Sequence, residues 1–218
     1  DEIFANFLLS SKIRSKIKKI KKKNKIFDSN YQNKILETFK FKLTKDQISA
    51  LENINKDMKS KQKMFRLLQG DVGSGKTIVS VVAALNAVKS GYQVAIMAPT
   101  EILAIQHYKF IIENFKIYCK AELLTSKTEY IKRKNILSDL SNNKINILVG
   151  THSLFQNKLS YFNLGLIIID EQHKFGVNQR KKLSDKGGNN CDVLVMSATP
   201  IPRTMMMTIY GDMDISLI

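Results

Sequence analysis

Apolar residues fall along the chain in two rhythms. Short, nearly continuous runs occur at MFRLLQ (64–69), VAIMA (94–98), AELLT (121–125), INILVG (145–150), LGLIIID (164–170) and VLVMSA (193–198). Between them lie longer segments with apolar positions three and four apart, from Lys76, from Glu101, over 128–140 and after Pro202. The short runs read as strands covered on both faces and the longer ones as amphipathic helices. Strand and helix in alternation predict an α/β fold with a mostly parallel sheet and helices on both faces.

Upstream the texture differs. Residues 31–58, YQNKILETFKFKLTKDQISALENINKDM, predict two helical stretches broken near Phe41–Thr44, with Thr44 as N-cap of a helix carrying Gln47, Leu51 and Ile54. Residues 12–25, KIRSKIKKIKKKNK, hold nine basic residues and no acid, with Ile13, Ile17 and Ile20 at helical spacing. That is a basic amphipathic helix, and three readings stand for it: a helix near phosphates, a solvated linker, or a membrane-surface helix with a narrow apolar stripe. No repeat at solenoid spacing is present. The organisation expected is a basic linker region over 1–30 followed by one nucleotide-binding domain over 31–218.

Composition changes this picture only in part. The chain has 218 residues, 44% hydrophobic and 25% charged, as in ordinary globular proteins. Lys+Arg outnumber Asp+Glu 35 to 19, for a net charge of +16. An anionic partner such as nucleic acid fits that charge. Only five of the 35 are arginines, so a lysine-rich coding bias accounts for it equally well. Cys119 and Cys191 form no CxxC or Cys/His cluster, which argues against a disulfide framework or a zinc site and fits a reducing, cytoplasmic setting. No apolar run approaches the roughly 18 residues of a membrane span, so no membrane partner is expected. The chain begins with acids and without Met, so a piece of something longer is expected.

Chemistry enters at Gly70–Thr77, GDVGSGKT, which satisfies G-x-x-x-x-G-K-[ST] between a predicted strand and a predicted helix. Gly70, Asp71, Val72, Gly73, Ser74 and Gly75 would wrap backbone N–H groups around phosphates at the positive end of the helix. Lys76 would reach the β- and γ-phosphates of ATP, and the Thr77 hydroxyl would ligate Mg²⁺. The second acidic element is LIIIDEQH (166–173), which places Asp170 and Glu171 at the carboxyl end of an apolar strand. Asp170 would hold Mg²⁺, and Glu171 would orient or deprotonate the attacking water.

GSGKT, APTEILA (98–104), GTH (150–152), D-E-x-H and SATPIPRT (197–204), in that order, resemble the first motor domain of superfamily 2 helicases, a RecA-like P-loop domain. QGDVGSGKT, DEQHKFGVNQR and MSATPIPRT followed by YGDMDIS are similar to the RecG family of bacterial ATP-dependent DNA helicases, over almost the whole chain. Transcription-repair coupling factors share DVGxGKT and ATPIPRT but normally read DEEQ at the second acidic motif. Ser126, Lys174 and Ser197 depart from the usual residues at their positions, and only Ser126 lies in a turn expected to touch DNA.

The resemblance implies an ATP-driven translocase acting on branched or forked DNA, in the bacterial cytoplasm and at the nucleoid, expected to be monomeric. It implies a second RecA-like domain and an upstream wedge domain in the full-length protein, neither within this chain. Gln47 matches the adenine-reading glutamine. Phe41 either stacks on the base or fills the edge of the core. Gln172, His173, Ser197 and Thr199 would relay the nucleotide state. Thr100, Thr125, Ser126, Thr151 and His152 would contact the DNA backbone, although Thr100 and Thr151 serve equally well as helix caps. Arg203 would touch DNA or brace its loop. Two other functions remain alternatives: a coupling-factor-like translocase, and a non-catalytic nucleic-acid-binding module on a motor fold.

Overall fold

A computed structural model describes residues 21–23, 25, 29–155, 159–170, 188–198 and 213–218. In chain order the elements are α1 (Ser29–Glu37), α2 (Lys45–Lys59), β1 (Phe65–Gln69), α3 (Lys76–Lys89), β2 (Gln93–Met97), α4 (Glu101–Phe115), β3 (Ala121–Leu124), α5 (Tyr130–Ser141), β4 (Ile147–Gly150), β5 (Leu164–Ile169), β6 (Asp192–Ser197) and β7 (Asp214–Leu217). Short 3₁₀ turns span His152–Phe155 and Gly188–Asn190. The predicted helix after Pro202 lies outside the described residues.

The strands form one sheet in the order β3-β4-β2-β5-β6-β1-β7, and every pairing is parallel. Side chains alternate between its faces. Leu68, Val94, Ile96, Leu166, Ile168, Leu194 and Met196 join the core beneath α2, α3 and α4. Their neighbours Leu67, Ala95, Met97, Ile167, Ile169, Val193 and Val195 join a second core with Ile136 and Leu140 of α5. Two buried faces explain why β2, β4, β5 and β6 are apolar along nearly their whole length.

Helix α3 is buried from Val79 to Ala87, which is why its sequence is apolar nearly all round. A side-chain amide network ties it to its neighbours: Asn55 of α2 and Asn86 of α3 both donate to Gln32 Oε1 of α1, at 2.7 and 2.8 Å. Helix α2 starts where its sequence predicts. Thr44 accepts from Gln47 N at 3.2 Å while Gln47 Oε1 accepts from Thr44 N at 2.9 Å, a complete capping box. Burial pushes the Cys119 and Cys191 thiols up to about 12, so both are apolar filler at neutral pH.

Two features depart from the sequence reading. Strand β7, which is not among the predicted strands, pairs with β1 at the sheet edge, where Leu217 stays 63% exposed. Arg66 secures it, donating to Ser216 Oγ at 2.9 Å and pairing with Asp57 of α2 at 2.7 Å. The predicted basic helix does not extend over residues 21–23 or 25. Lys21 bridges Gln62, and the Lys22 amide donates to Lys61 O at 2.9 Å. Lys22 and Lys25 bury their ammonium groups against Asp192 at 2.5 and 2.6 Å. Lys25 also lies 4.8 Å from the Tyr92 ring centroid. Burial pulls Lys22 below the ordinary lysine range, with Asp192 opposing the shift. These lysines therefore face neither solvent nor DNA, because a buried carboxylate at the start of β6 requires cations beside it.

Replacing Asp192 by Ala strands two buried ammonium groups and the Met64 N–H that it accepts at 2.8 Å. The expected loss is about 3–5 kcal/mol of unfolding free energy in urea denaturation. Replacing the trio together by Met, Met and Leu is expected to cost less than Asp192→Ala alone.

Candidate functional site

The GDVGSGKT loop leaves β1 and enters α3. Gly73 and Gly75 adopt φ of +84° and +87°, which side-chain-bearing residues rarely tolerate. Gly70 is needed for another reason. A Cβ there would strike the Ile218 carbonyl and come within 2.6 Å of Ser74 Oγ, since the chain leaving β7 runs past this glycine. Gly75 caps α3 without any side-chain bond to the first-turn amides. Lys76 Nζ donates to the loop's own carbonyls, Gly70 O at 2.7 Å and Asp71 O at 2.6 Å. Ser74 Oγ is buried with no hydrogen-bond partner among the described residues. Uncapped amides, an orphaned hydroxyl and an ammonium group match what phosphate oxygens require. Asp71 and Val72 sit exposed at the loop tip.

Gln47 packs directly beneath this loop. Its Nε2 donates to Ser74 O at 2.8 Å, and a Cβ on Gly75 would collide with the same amide. One side chain thus closes the cap of α2 and braces the phosphate loop. An amide has one further donor and one further acceptor site, which leaves capacity for a base. Phe41 is 52% exposed, with its ring 5.5 Å from that of Phe39, which itself packs on Phe115. One part of Phe41 therefore borders the core and the rest faces solvent.

Strand β6 lies between β1 and β5, so the loop and Asp170 stand on either side of it at one sheet edge. Gly70 N donates to Ser197 O at 3.3 Å, joining the loop to the end of β6. Asp170 N donates to Met97 O at 2.8 Å, continuing the β2–β5 register into the bend. His107 Nε2 lies 2.7 Å from Asp170 Oδ2. Sequence reasoning passed over His107 because it is at no metal-ligand spacing. The available signal was its place on the apolar stripe Ala104, His107, Ile111, Phe115, all buried. Among the described residues no group of three or more His, Cys, Asp or Glu side chains could hold a metal. Mg²⁺ commonly takes only one or two protein oxygens beside substrate phosphates and water, so a threonine hydroxyl such as that of Thr77 and one carboxylate such as Asp170 would suffice in donor chemistry. Glu171, Gln172, His173, Thr199 and Arg203, and the His152 side chain, lie outside the described residues.

Three turns meet the same edge. Thr100 is exposed and caps α4 by accepting from Leu103 N at 3.3 Å. Thr125 is only 4% exposed, and its hydroxyl accepts from Lys127 N at 3.3 Å. Its side chain therefore shapes the turn, and Ser126 and Lys127 are the exposed groups there. Glu101 joins this turn to α4, pairing with Lys127 at 2.9 Å. Hydrogen bonds from the Thr125 hydroxyl and then from Lys127 hold the Glu101 carboxyl below its ordinary range and, reciprocally, raise Lys127. Thr151 is half-buried, and its carbonyl accepts from Leu154 N at 3.1 Å in the 3₁₀ turn.

The sequence profile of the DEAD/DEAH box helicase family matches residues 44–208. An ATP-dependent DNA helicase RecG of Aquifex aeolicus is 49% identical over 220 residues, covering 100% of this chain and 28% of that protein. The RecG of Thermotoga maritima is 45% identical over 219 residues with the same coverage. The chain thus spans about 28% of the length of these curated relatives. A structure described as RecG bound to a three-way DNA junction superposes with a TM-score of 0.89 at 41% identity, covering 99% of this chain and 29% of that one. The UvsW helicase of bacteriophage T4, at 12% identity and a TM-score of 0.63, shares the fold. On its family profile, and with a RecG-like sequence over its whole length, the chain belongs to the DEAD/DEAH box helicases.

Proposed function

We propose that this chain is the ATP-binding lobe of a DNA translocase that remodels branched DNA, such as stalled forks and Holliday junctions, in recombination and repair. The observation that carries this reading is the pairing of the GDVGSGKT loop and Asp170 across β6, in a chain similar to RecG helicases end to end. The relative bound to a three-way junction supports branched DNA as the partner.

In this reading the amides of Gly73–Thr77 take the phosphates, and Lys76 exchanges its loop carbonyls for β- and γ-phosphate oxygens. Gln47 and Phe41 receive the adenine. Thr77 and Asp170 hold Mg²⁺, which when bound neutralises charge building between the β- and γ-phosphates. Glu171 orients the water for in-line attack and accepts its proton. Gln172, His173, Ser197 and Thr199 pass the nucleotide state onward, and the Gly70–Ser197 hydrogen bond supports that role for Ser197. Thr100, Ser126 and Thr151 meet the DNA backbone with small hydroxyls and N–H groups, which position phosphates without reading sequence. Thr125 holds its turn in shape, and His152 and Arg203 complete the surface. A second RecA-like domain of the full-length protein closes on the ATP and supplies an arginine, an element worth about 10³–10⁵ in rate. The setting is the bacterial cytoplasm, at the nucleoid, with the protein acting as a monomer.

Two outcomes test this. Lys76→Ala in the full-length protein is expected to lower DNA-stimulated ATP turnover by at least about a hundredfold. Fork affinity in gel-shift titration should change by less than about threefold, because DNA phosphates are held elsewhere. Undiminished turnover refutes the assignment. The isolated chain is expected to bind a fluorescent ATP analogue weakly and to unwind no forked DNA in a strand-displacement assay. Robust unwinding by it contradicts the need for a second lobe.

A further inference from the structure

Asp170 closes β5 and turns into a bend, so its backbone is fixed on one side by Met97 O at 2.8 Å. A carboxylate that is to hold a metal shell also needs a fixed rotation of its two oxygens. His107 provides that restraint. It projects from the buried face of α4, only 7% exposed, and reaches Asp170 Oδ2 at 2.7 Å. A carboxylate has only lone pairs to offer, so Nε2 carries the shared proton and donates, leaving Oδ1 for the metal shell.

The helix that carries His107 leads elsewhere. Seven residues earlier, about two turns or 10 Å along the axis, Thr100 caps the same helix at the exposed turn. Glu101, in its first turn, is fastened to the Thr125–Thr128 turn through Lys127 at 2.9 Å and the Thr125 hydroxyl. Helix α4 therefore carries both the Thr100 cap and His107, and the Glu101 contacts with Lys127 and Thr125 join it to the second turn. Its far face meets Asp170 and its near end meets the surface assigned to DNA.

We propose that His107 is a positioning residue that fixes the Asp170 carboxylate and couples it, through α4, to DNA seated on the Thr100 and Ser126 turns. This rests on the reading of the Thr100 and Ser126 turns as DNA-backbone contacts. With DNA seated on those turns, α4 holds His107 where the donated hydrogen bond orients Asp170.

The test uses the full-length protein with His107→Gln and His107→Asn. A Gln amide reaches the position of Nε2, whereas an Asn amide falls about one bond short. Three measurements are made on each: the Mg²⁺ concentration giving half-maximal tightening of a fluorescent ADP analogue without DNA, the ratio of ATP turnover with and without forked DNA, and the melting temperature. His107→Asn is expected to raise the Mg²⁺ requirement by about tenfold or more. It should lower the stimulation ratio about as much, with nucleotide affinity in EDTA unchanged. His107→Gln should restore most of both. An Asn variant with wild-type Mg²⁺ requirement and ratio overturns the proposal, as do Asn and Gln variants equally impaired and equally less stable. A raised Mg²⁺ requirement with an unchanged ratio overturns the link to α4. Failure of the functional reading looks different: the unaltered protein then shows no stimulation by forked DNA, while the Mg²⁺ arm still decides whether His107 positions Asp170.

Discussion

A parallel sheet delivers every strand to the same edge, and the candidate site depends on that constraint. The loop after β1, the acidic bend after β5, the end of β6 and the turns after β2, β3 and β4 all emerge on one side. The register then becomes site geometry. Gly70 N on Ser197 O and Asp170 N on Met97 O carry the ladder one residue beyond the strands and fix both chemical elements relative to the sheet. Apolar residues along β2, β4, β5 and β6 hold this arrangement by filling two cores at once, so a shift of one strand would disturb both faces.

The opposite edge is closed by charge. Asp192 opens β6 and is fully buried, with Lys22 and Lys25 on its two oxygens and Met64 N on one of them. Such a trio gives little net stability compared with apolar packing, but it holds the segment around residue 22 to the sheet. The edge that carries the GDVGSGKT loop exposes Asp71, Val72 and Gly73. Lys76 there rests on loop carbonyls, and Ser74 presents a buried hydroxyl without a partner among the described residues.

Much of this was legible in the chain itself. Continuous Val, Ile and Leu runs identify β2, β4, β5 and β6 because burial on both faces removes any polar alternation. Thr44 with Gln47 marks the start of α2 because both partners of a capping box lie within four residues. GDVGSGKT is legible for the same local reason. What stayed hidden depends on distant partners. Lys22 and Lys25 sit in a lysine-rich run that reads as solvated, and their partner Asp192 is 170 and 167 residues away. Strand β7 alternates exposed and buried positions over four residues at an edge, so it lacks the apolar signature. His107 looks like an isolated histidine until the fold brings Asp170, 63 residues further on, beside it. Gly70 reads as part of the phosphate loop, and only the fold adds a second demand on it, room for the Ile218 carbonyl.

The most direct test of the account is a crystal structure of the full-length protein with a non-hydrolysable ATP analogue, Mg²⁺ and forked DNA. The account predicts the triphosphate on the amides at the start of α3, with Lys76 moved from Gly70 O and Asp71 O onto phosphate oxygens. Mg²⁺ should lie between Thr77 and Asp170, and the DNA backbone against the turns at Thr100 and Ser126. A nucleotide bound away from the GDVGSGKT loop, or DNA on the face that carries Asp192, would contradict it.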